Sequence, residues 1–368
     1  MKVSIVIPTL NAGPLFKEVL EAVKAQEFAG EFELVIVDSM SEDGTAELGK
    51  KYAQVFFQVR SEDFNHGETR NLAISRSSGD LIALLVQDAM PADRQWLKKL
   101  AGNFQDPKVA GAYSRQIARP DCNPLIRLRL QGWGAAQAQR RIQEMESSKV
   151  ERFQGLKVEA DHQVRALKPE QIREVIETFS FDNVSSMVRR SAWEEVKFPG
   201  RRFAEDIGWC QEVLSRGYKV VYEPESAVIH SHNKSLWYEF KRVYLDHQNW
   251  WQVGKFRIFN RRREVMGASL GGSVRAIRGL WREGLRDCEE RGKRKEEGRP
   301  GGSPVRATRR VGPKSVAAMV FSLIGWSCYA PFFVFSQNLA QYLGGWADRW
   351  KEKYPWYAKI DRWISKGV

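Results

Sequence analysis

Paired cysteines and a long apolar N-terminal segment are both missing from this 368-residue sequence. Its four cysteines, Cys122, Cys210, Cys288 and Cys328, are scattered. Their spacing indicates neither a zinc site nor a disulfide framework and favours reduced thiols. The chain opens with a strand-like run at residues 1–8 instead of a signal segment. We therefore expect the protein to begin and remain in the cytosol.

Net charge is nearly absent from most of the chain. Residues 255–314 contain 18 Lys and Arg against 7 Asp and Glu, a local excess of 11 in a chain whose net charge is +13. This concentration of basic residues predicts an anionic partner for the C-terminal part, either a lipid surface or nucleic acid.

Charged residues are missing altogether from residues 315–347. The centre of this run, 316–335, is long enough to cross a bilayer, for which about 20 apolar residues suffice. Basic residues expected of a cytosolic flank precede it: Arg306, Arg309, Arg310 and Lys314.

Several topologies are open for this apolar run. A buried helix of a soluble core is one alternative. A re-entrant hairpin or a helix lying in the interface is another, because a single span would have to translocate the charged residues that follow Asp348. We predict a protein at the cytoplasmic face of the cell membrane, held there peripherally, by a re-entrant segment or by a single span.

The N-terminal part of the chain alternates apolar, β-branched runs with helical patterns, and its predicted strands are 3–7, 34–37, 55–59 and 81–86. Such alternation predicts an α/β fold whose mostly parallel sheet is sandwiched by helices. Ligands of these sheets bind outside the carboxyl ends of the strands. Asp38 and Asp88 fall there. Further along, we predict a helix-like stretch at 125–146, strands at 184–188 and 218–222, and helices at 206–216 and 236–256.

Asp38 and Asp88 each allow a structural and a functional interpretation. Asp38 could form the cap and turn before the next helix, or accept hydrogen bonds from a nucleobase or ribose. Asp88 could be an ordinary surface residue, or bind a divalent cation that bridges a diphosphate, which needs only one or two protein carboxylates.

Two further pairs carry the same ambiguity. Glu205 and Asp206 begin a predicted helix, where acidic residues are common as caps, but a general base facing a ligand would have the same appearance. His230 and His232 could be a metal ligand and its neighbour, or part of a polar edge strand.

The order and spacing of six motifs are more specific than any motif alone. They are residues 3–11, Ile-Val-Asp-Ser-Met-Ser-Glu-Asp-Gly-Thr at 36–45, Asn-His-Gly-Glu-Thr-Arg-Asn at 65–71, Gly-Asp at 79–80, Gln-Asp-Ala at 87–89 and Glu-Asp at 205–206. As a set, over residues 1–240, they resemble the family 2 glycosyltransferases with the GT-A fold. Phe-Asn-His-Gly at 64–67 and Gln-Asp-Ala-Met-Pro at 87–91 resemble the bacterial rhamnosyltransferase branch, which usually takes dTDP-rhamnose.

The resemblance implies roles for individual residues. Asp206, with Glu205 beside it, is implied as the catalytic base. Asp88 is implied as the surviving carboxylate of the family's Asp-x-Asp motif, binding Mg²⁺ or Mn²⁺. His232 first, and His230 second, is implied as the histidine that meets the metal or the diphosphate, and the sequence leaves open which of the two meets the metal. The residues implied to bind the nucleotide sugar are Pro8, Thr9, Asn11, Asp38, Ser41, His66, Gly67, Arg70, Gln87 and Asp88.

The sequence departs from the family pattern at several positions. Ser39 and Met40 stand where an Asp and a Gly are usual, and the metal motif keeps one acid instead of two. The Gln-or-Arg-x-x-Arg-Trp signature of processive synthases is not found in the sequence. The expected organisation is a GT-A domain at 1–240, a helical basic extension at 241–291, a basic linker at 292–314 and an apolar membrane-associating helical segment at 315–368.

The hypothesis that follows is a metal-dependent inverting glycosyltransferase of cell-surface polysaccharide synthesis. It would move a sugar, rhamnose from dTDP-rhamnose as the specific expectation, from a nucleotide-diphosphate donor to a lipid-linked saccharide. A polyprenyl phosphate is the alternative acceptor. A nucleotidyltransferase would need a Gly-rich phosphate loop near the N-terminus, which residues 8–11 lack. A nucleic-acid binder would not need the uncharged run, so we expect membrane lipid and not nucleic acid as a partner.

Overall fold

The computed structural model describes residues 1–132, 134–145, 174, 177–200, 204–254, 257–296 and 313–365. The chain divides into two compact units. The first comprises Met1–Cys122, Leu130–His232 and Gln248–Ile258, and the second Asn123–Arg129, Asn233–His247 and Phe259–Val368. All described strands belong to the first unit, where they form one nine-stranded sheet.

The first half of the sheet is parallel, as the alternating pattern predicts. Its strands, in the spatial order β3-β2-β1-β4, are β1 (Lys2–Thr9), β2 (Glu31–Asp38), β3 (Val55–Gln58) and β4 (Leu81–Leu85). The helices that connect them are α1 (Leu15–Lys24), α2 (Thr45–Tyr52) and α3 (His66–Ser75). Thr9 pairs with Asp38 at the carboxyl ends of β1 and β2, which places both residues at one edge.

Both faces of this sheet are covered, which accounts for the nearly continuous apolar strands. Ile5 and Ile7 belong to one buried cluster together with Phe16 and Leu20 of α1. Val6, between them in β1, belongs to the cluster on the opposite face. Alternate side chains of a strand point to opposite faces, so burial of both rows leaves ligand access at the strand ends.

The second half of the sheet is mixed. Its strands are β5 (Met90–Pro91), β6 (Val109–Ile117), β7 (Arg141–Gln143), β8 (Ser185–Arg189) and β9 (Lys219–Ile229). The helices are α4 (Trp96–Ala101), α5 (Pro124–Gln131), α6 (Arg190–Glu195) and α7 (Glu205–Ser215), and short 3₁₀ turns cover Ser61–Asp63, Gly102–Gln105 and Gly134–Ala136. Strand β8 runs antiparallel between β4 and β6, whereas β6 and β9 are parallel.

Two stretches differ from the sequence prediction. Strand β9 continues to Ile229 instead of ending at Tyr222, because a bulge absorbs Pro224 where its register against β6 shifts after Ser114. The predicted helix-like stretch at 125–146 ends at Gln131, and the short strand β7 follows and pairs with β9. The longer β9 carries His230 to the same edge as the end of β6, where the backbone N–H of His230 donates to the carbonyl of Ile117.

The second unit is helical. It contains most of α5, the first part of α8 (Leu236–Gly254), and the helices α9 (Arg262–Glu296), α10 (Pro313–Lys353) and α11 (Tyr357–Ser365). Helix α9 extends five residues into the predicted linker. Residues 297–312 of that linker, with Arg306, Arg309 and Arg310, lie outside the described residues, and its last two residues begin α10.

The two halves of α10 have different surroundings within this unit. Its C-terminal half packs closely: a Cβ added to Gly344 would lie 2.0 Å from the carbonyl oxygen of Tyr244, and the Trp346 indole donates to the carbonyl of Phe259. Its N-terminal half exposes large apolar side chains such as Phe321 and Phe332. Among the described residues, the 318–353 part of α10 is the one helical stretch long and apolar enough to cross a membrane.

Candidate active site

One cluster of metal-binding side chains occurs in the described part of the chain: Asp88, His230 and His232, with one potential ligand atom from each lying within 4.8 Å of the others. Asp88 follows β4, and the two histidines follow β9. The Asp88 carboxylate lies 3.6 Å from Nε2 of His230 and 3.3 Å from Nδ1 of His232. A carboxylate and two imidazoles form a donor set that suits a divalent cation such as Mn²⁺. The structure thus brings together the three predicted metal ligands.

Gln116 fixes the orientation of His230. Its side-chain oxygen lies 2.8 Å from Nδ1 of this buried histidine, while its amide nitrogen donates to the carboxylate of Asp182. The amide oxygen can only accept a hydrogen bond, so Nδ1 carries a proton, and in the neutral imidazole Nε2, on the side of Asp88, keeps its lone pair. This is the tautomer that a metal ligand requires, held by an outer hydrogen bond.

Asp206 lies at the start of α7 and is tied to the segment before β8. Its carboxylate accepts hydrogen bonds from the backbone N–H groups of Ile207, at 2.8 Å, and Asn183, at 3.4 Å. Burial, together with the charges of Glu205 and Asp182, raises the pKa of Asp206 well above its ordinary value. A carboxylate with a raised pKa accepts a proton more readily, which suits a general base near neutral pH.

Glu205 is placed very differently from its neighbour. Its carboxylate lies 2.8 Å from a guanidinium nitrogen of Arg70, and the side chains are 7% and 5% exposed. Asn183 donates a second hydrogen bond to the same Glu205 oxygen, at 3.1 Å. The Arg70 nitrogen also donates to the backbone carbonyl of His66. This buried ion pair connects the second turn of α3 to the first turn of α7.

Asp38 is fully buried, and its carboxylate is saturated with hydrogen bonds. Oδ1 accepts from the hydroxyls of Thr9 and Ser41, and Oδ2 from the Ser41 backbone and the Gln58 amide. Burial alone would raise the pKa of Asp38, but these four donors hold it below its ordinary value. In this structure the carboxylate of Asp38 therefore organises the loops after β1 and β2 instead of presenting a free oxygen at the surface.

Three other residues predicted to bind the nucleotide sugar hold the same loops together: Gln87, Asn11 and Ser41. The side-chain amide of Gln87 bonds both the N–H and the carbonyl of Leu10. The Asn11 backbone N–H donates to the Ser41 hydroxyl, and its side chain accepts from the N–H of Glu42. Asn11 and Met40 both have positive φ, 45° and 61°. A left-handed backbone at Met40 explains why Gly is usual at this position.

The remaining predicted residues flank these loops. Pro8 is partly buried next to Thr9 at the end of β1. His66 and Gly67 open α3, whose N-cap Asn65 accepts from the N–H groups of Gly67 and Glu68. A Cβ at Gly67 would lie 2.0 Å from the carbonyl oxygen of Pro199, so Gly67 is required for packing.

Comparison with known proteins gives a family for this site. The model of "Glycosyl transferase family 2" matches residues 4–165. The O-antigen chain rhamnosyltransferase RfbN of Salmonella typhimurium is 35% identical over 248 residues, which cover 66% of this chain and 71% of that protein. The chain belongs to glycosyltransferase family 2. A second relative, the O-antigen chain rhamnosyltransferase WbaN of Salmonella anatum, is 28% identical over 66% of this chain and 70% of its own.

A solved structure supports the fold of this glycosyltransferase. The mannosyltransferase PcManGT from Pyrobaculum calidifontis, in complex with GDP-Man and Mn²⁺, superposes with a TM-score of 0.52 at 16% identity. The alignment covers 94% of this chain and 87% of that one. The expected GT-A fold and the resemblance to the rhamnosyltransferase branch are both confirmed.

Sequence reasoning missed several residues of the glycosyltransferase site. Asp182 and Asn183 precede β8, and Gln116 lies within β6. Arg119 donates to the backbone carbonyl of Asp88, and its own N–H donates to the hydroxyl of Ser231. The signal that could have found Asp182 and Asn183 is a pair of polar residues just before a buried strand. Such a pair lies at the carboxyl ends of the parallel strands only if its own strand runs antiparallel to them.

Proposed function

We propose that this family 2 enzyme is a metal-dependent inverting glycosyltransferase that transfers rhamnose from dTDP-rhamnose to a lipid-linked saccharide. The observation that carries the proposal is the arrangement of the metal cluster, Asp88 with two histidines, and the high-pKa carboxylate of Asp206. Gln116 hydrogen-bonds both His230 and Asp182, and the charge of Asp182 acts on Asp206, which links the metal cluster to Asp206 at one sheet edge.

Asp206 acts on the acceptor. Its carboxylate takes the proton of an acceptor hydroxyl, whose oxygen forms a bond to the anomeric carbon of the donor sugar. The bond between that carbon and the diphosphate oxygen breaks, and the nucleoside diphosphate leaves with the electron pair. Attack from the face opposite the leaving group inverts the anomeric configuration. Alignment of the reacting groups accounts for much of the expected rate.

Asp88, His230 and His232 would hold Mg²⁺ or Mn²⁺. Such a cation supplies charge neutralisation for a leaving diphosphate. The loops held by Asp38, Asn11 and Gln87 would form the wall of the nucleotide pocket, with Thr9, Ser41 and the α3 N-terminus around it. Arg70, buried against Glu205, would position this wall instead of binding the diphosphate directly.

The names of the curated relatives support the choice of sugar and pathway. Two O-antigen chain rhamnosyltransferases each match about two thirds of the chain. A lipid-linked acceptor agrees with the apolar, exposed half of α10 and with the basic stretch before it. We accordingly place the enzyme at the cytoplasmic face of the membrane. The catalytic domain would end near residue 240, followed by the helical extension, linker and membrane-associating segment.

The test is a screen of nucleotide sugars with the purified enzyme. We expect turnover of dTDP-rhamnose in the presence of Mn²⁺ or Mg²⁺, and loss of turnover with EDTA. The Asp206→Asn enzyme should bind donor but not transfer sugar. Asp106→Asn, before the amino end of β6 and paired with Lys219, is the matched control and should keep full activity. Near-normal turnover by Asp206→Asn would remove Asp206 from the mechanism, and turnover of another donor alone would refute the choice of sugar.

The acceptor needs a separate measurement. A polyprenyl phosphate is the alternative, since the same fold can form a sugar–phosphate–lipid product. Mild acid cleaves the sugar–phosphate bond of both products but leaves an ordinary glycosidic bond intact. Release of the transferred sugar within an oligosaccharide would support the proposal, and its release as a free monosaccharide from polyprenyl phosphate alone would favour the alternative.

A further inference from the structure

Helices α9 and α10 of the second unit form an antiparallel pair with a clear register. Asn338 donates to the hydroxyl of Ser269, and the Trp281 indole donates to the hydroxyl of Ser327. Further along, a Cβ at Gly284 would meet Leu323 at 2.6 Å. Residue numbers increase along one helix as they decrease along the other, so the helices are antiparallel. Residues 269–284 of α9 therefore lie beside residues 323–338 of α10.

This register places charge beside the apolar run. Four exposed arginines, at the height of residues 321–335 of α10, lie on α9: Arg275, Arg278, Arg282 and Arg286. If α10 crossed a bilayer with this pairing intact, the arginines would enter the hydrocarbon layer with it. Charged side chains are strongly disfavoured in that layer. Arginines near a helix end can extend their charged groups to the interface, but a row of arginines spread along the span could not.

Both helices also expose large apolar side chains. On α10, Phe321, Ile324 and Phe332 are 74%, 46% and 69% exposed, and the exposed Cys328 continues their helical spacing. On α9, Met266, Leu270 and Val274 are all exposed and are spaced four residues apart, and Leu270 is 71% exposed. An apolar face bordered by arginines on one helix is typical of helices that lie in a membrane interface.

We propose that the α9–α10 hairpin lies in the plane of an anionic lipid leaflet and that neither helix spans it. Its exposed apolar rows would enter the boundary between headgroups and acyl chains, and the arginine row of α9 would contact anionic headgroups. This deepens the membrane location in the proposed function by choosing among the three topologies open from the sequence. The charge of the arginine row favours anionic lipid over a second copy of this chain, whose hairpin carries the same positive charge.

The depth of two positions tests the topology. Cys328 on the apolar row is labelled with a membrane-impermeant maleimide in a Cys288→Ser background. Arg282→Cys on the arginine row is labelled in the same way in a Cys288→Ser/Cys328→Ser background, so that each variant has one exposed target cysteine. Cys122 and Cys210 are buried and serve as internal cysteines of low reactivity. Vesicles containing phosphatidylglycerol should slow labelling of Cys328 about tenfold and leave Arg282→Cys accessible.

Each alternative gives a different labelling pattern. Protection of both positions by vesicles would show a span and overturn the proposal. Protection of neither would show that the apolar rows do not enter lipid. Protection of Cys328 without vesicles, increasing with protein concentration, would assign the surface to a second copy of the chain.

Lipid charge is tested by vesicle sedimentation. Arg278→Gln/Arg282→Gln should lower partition onto phosphatidylglycerol-containing vesicles about 30-fold and leave partition onto phosphatidylcholine vesicles unchanged. Arg60→Gln/Arg94→Gln, which removes two exposed arginines of the first unit, is matched in charge and should bind as the wild type does. Equal binding by both double variants would refute the headgroup contact. Donor hydrolysis, measured without lipid, reports the proposed function separately.

Discussion

Replacement of Glu205 by glutamine would separate two effects that this residue exerts. Glu205 and Arg70 form a nearly inaccessible ion pair at 2.8 Å, and Arg70 Nε is buried without a hydrogen-bond partner among the described residues. Loss of one partner from a buried pair typically costs about 3–5 kcal/mol, because the other charge is left uncompensated. Glutamine keeps an oxygen that can accept from Arg70 and Asn183. We therefore expect a loss near the lower end, about 3 kcal/mol in the free energy of unfolding.

The same substitution should make Asp206 easier to ionise. The negative charge of Glu205 contributes to the raised pKa of Asp206, second only to burial. A general base must be deprotonated, so activity falls as pH drops through the pKa of Asp206. Without the Glu205 charge this pKa decreases, and the acid limb of kcat/KM against pH should move to lower pH.

Urea unfolding and a pH–rate profile measure the two effects. Glu212→Gln is the matched control. Glu212 lies on the same helix and pairs with Arg216 at 3.0 Å, but the side chains of Glu212 and Arg216 are both about half exposed. That exposed pair should contribute less than about 1 kcal/mol, and the acid limb should stay in place. Equal, small stability losses in the two variants would refute the buried-pair argument. An acid limb that moves upward in Glu205→Gln would refute the electrostatic one.

Three further substitutions test the loops and the metal cluster. Asp38→Asn should lose about 2 kcal/mol of unfolding free energy at neutral pH. Since the folded pKa of Asp38 is lowered, the gap to wild type in urea unfolding should narrow as pH falls below about 4; a constant gap would contradict this. Gln116→Leu should weaken Mn²⁺ binding in calorimetry about 10–100-fold, and unchanged affinity would exclude its role in orienting His230. Met40→Gly should raise the free energy of unfolding by about 1 kcal/mol, because φ at Met40 is 61°; a lower melting temperature would contradict the assigned strain.

The parallel half of the fold and the positions of its polar strand ends could be predicted from periodicity alone. A strand buried on both faces gives a continuous apolar run, and Asp38 and Asp88 stand where two such runs end. Spacing could not show the direction in which their side chains point. Asp88 lies beside the histidines, whereas the loops bind both oxygens of Asp38, although the two residues have similar sequence surroundings.

The second half of the site could not be predicted because it depends on strand direction. Asp182 and Asn183 lie at the amino end of β8, which would be remote from the site in an all-parallel sheet. Because β8 is antiparallel to β4, with Leu85 opposite Ser185, its amino end adjoins the carboxyl end of β4. The sequence also predicts too short a strand before His230, at residues 218–222. Pro224 is typical of the end of a strand, but a bulge accommodates it and β9 continues to Ile229.

Glu205 and Asp206 show how the fold gives two adjacent carboxylates different chemistry. Successive residues of a helix point about 100° apart, so one side chain turns toward α3 and the other toward the segment before β8. Arg70 meets Glu205 directly and fixes it as an ion-pair partner. Among the described residues, Asp206 receives only backbone hydrogen bonds, and it faces the like charges of Glu205 and Asp182. In the proposed mechanism the buried pair therefore keeps Glu205 out of proton transfer, and the negative charge of Glu205 helps to raise the pKa of Asp206, the proposed base.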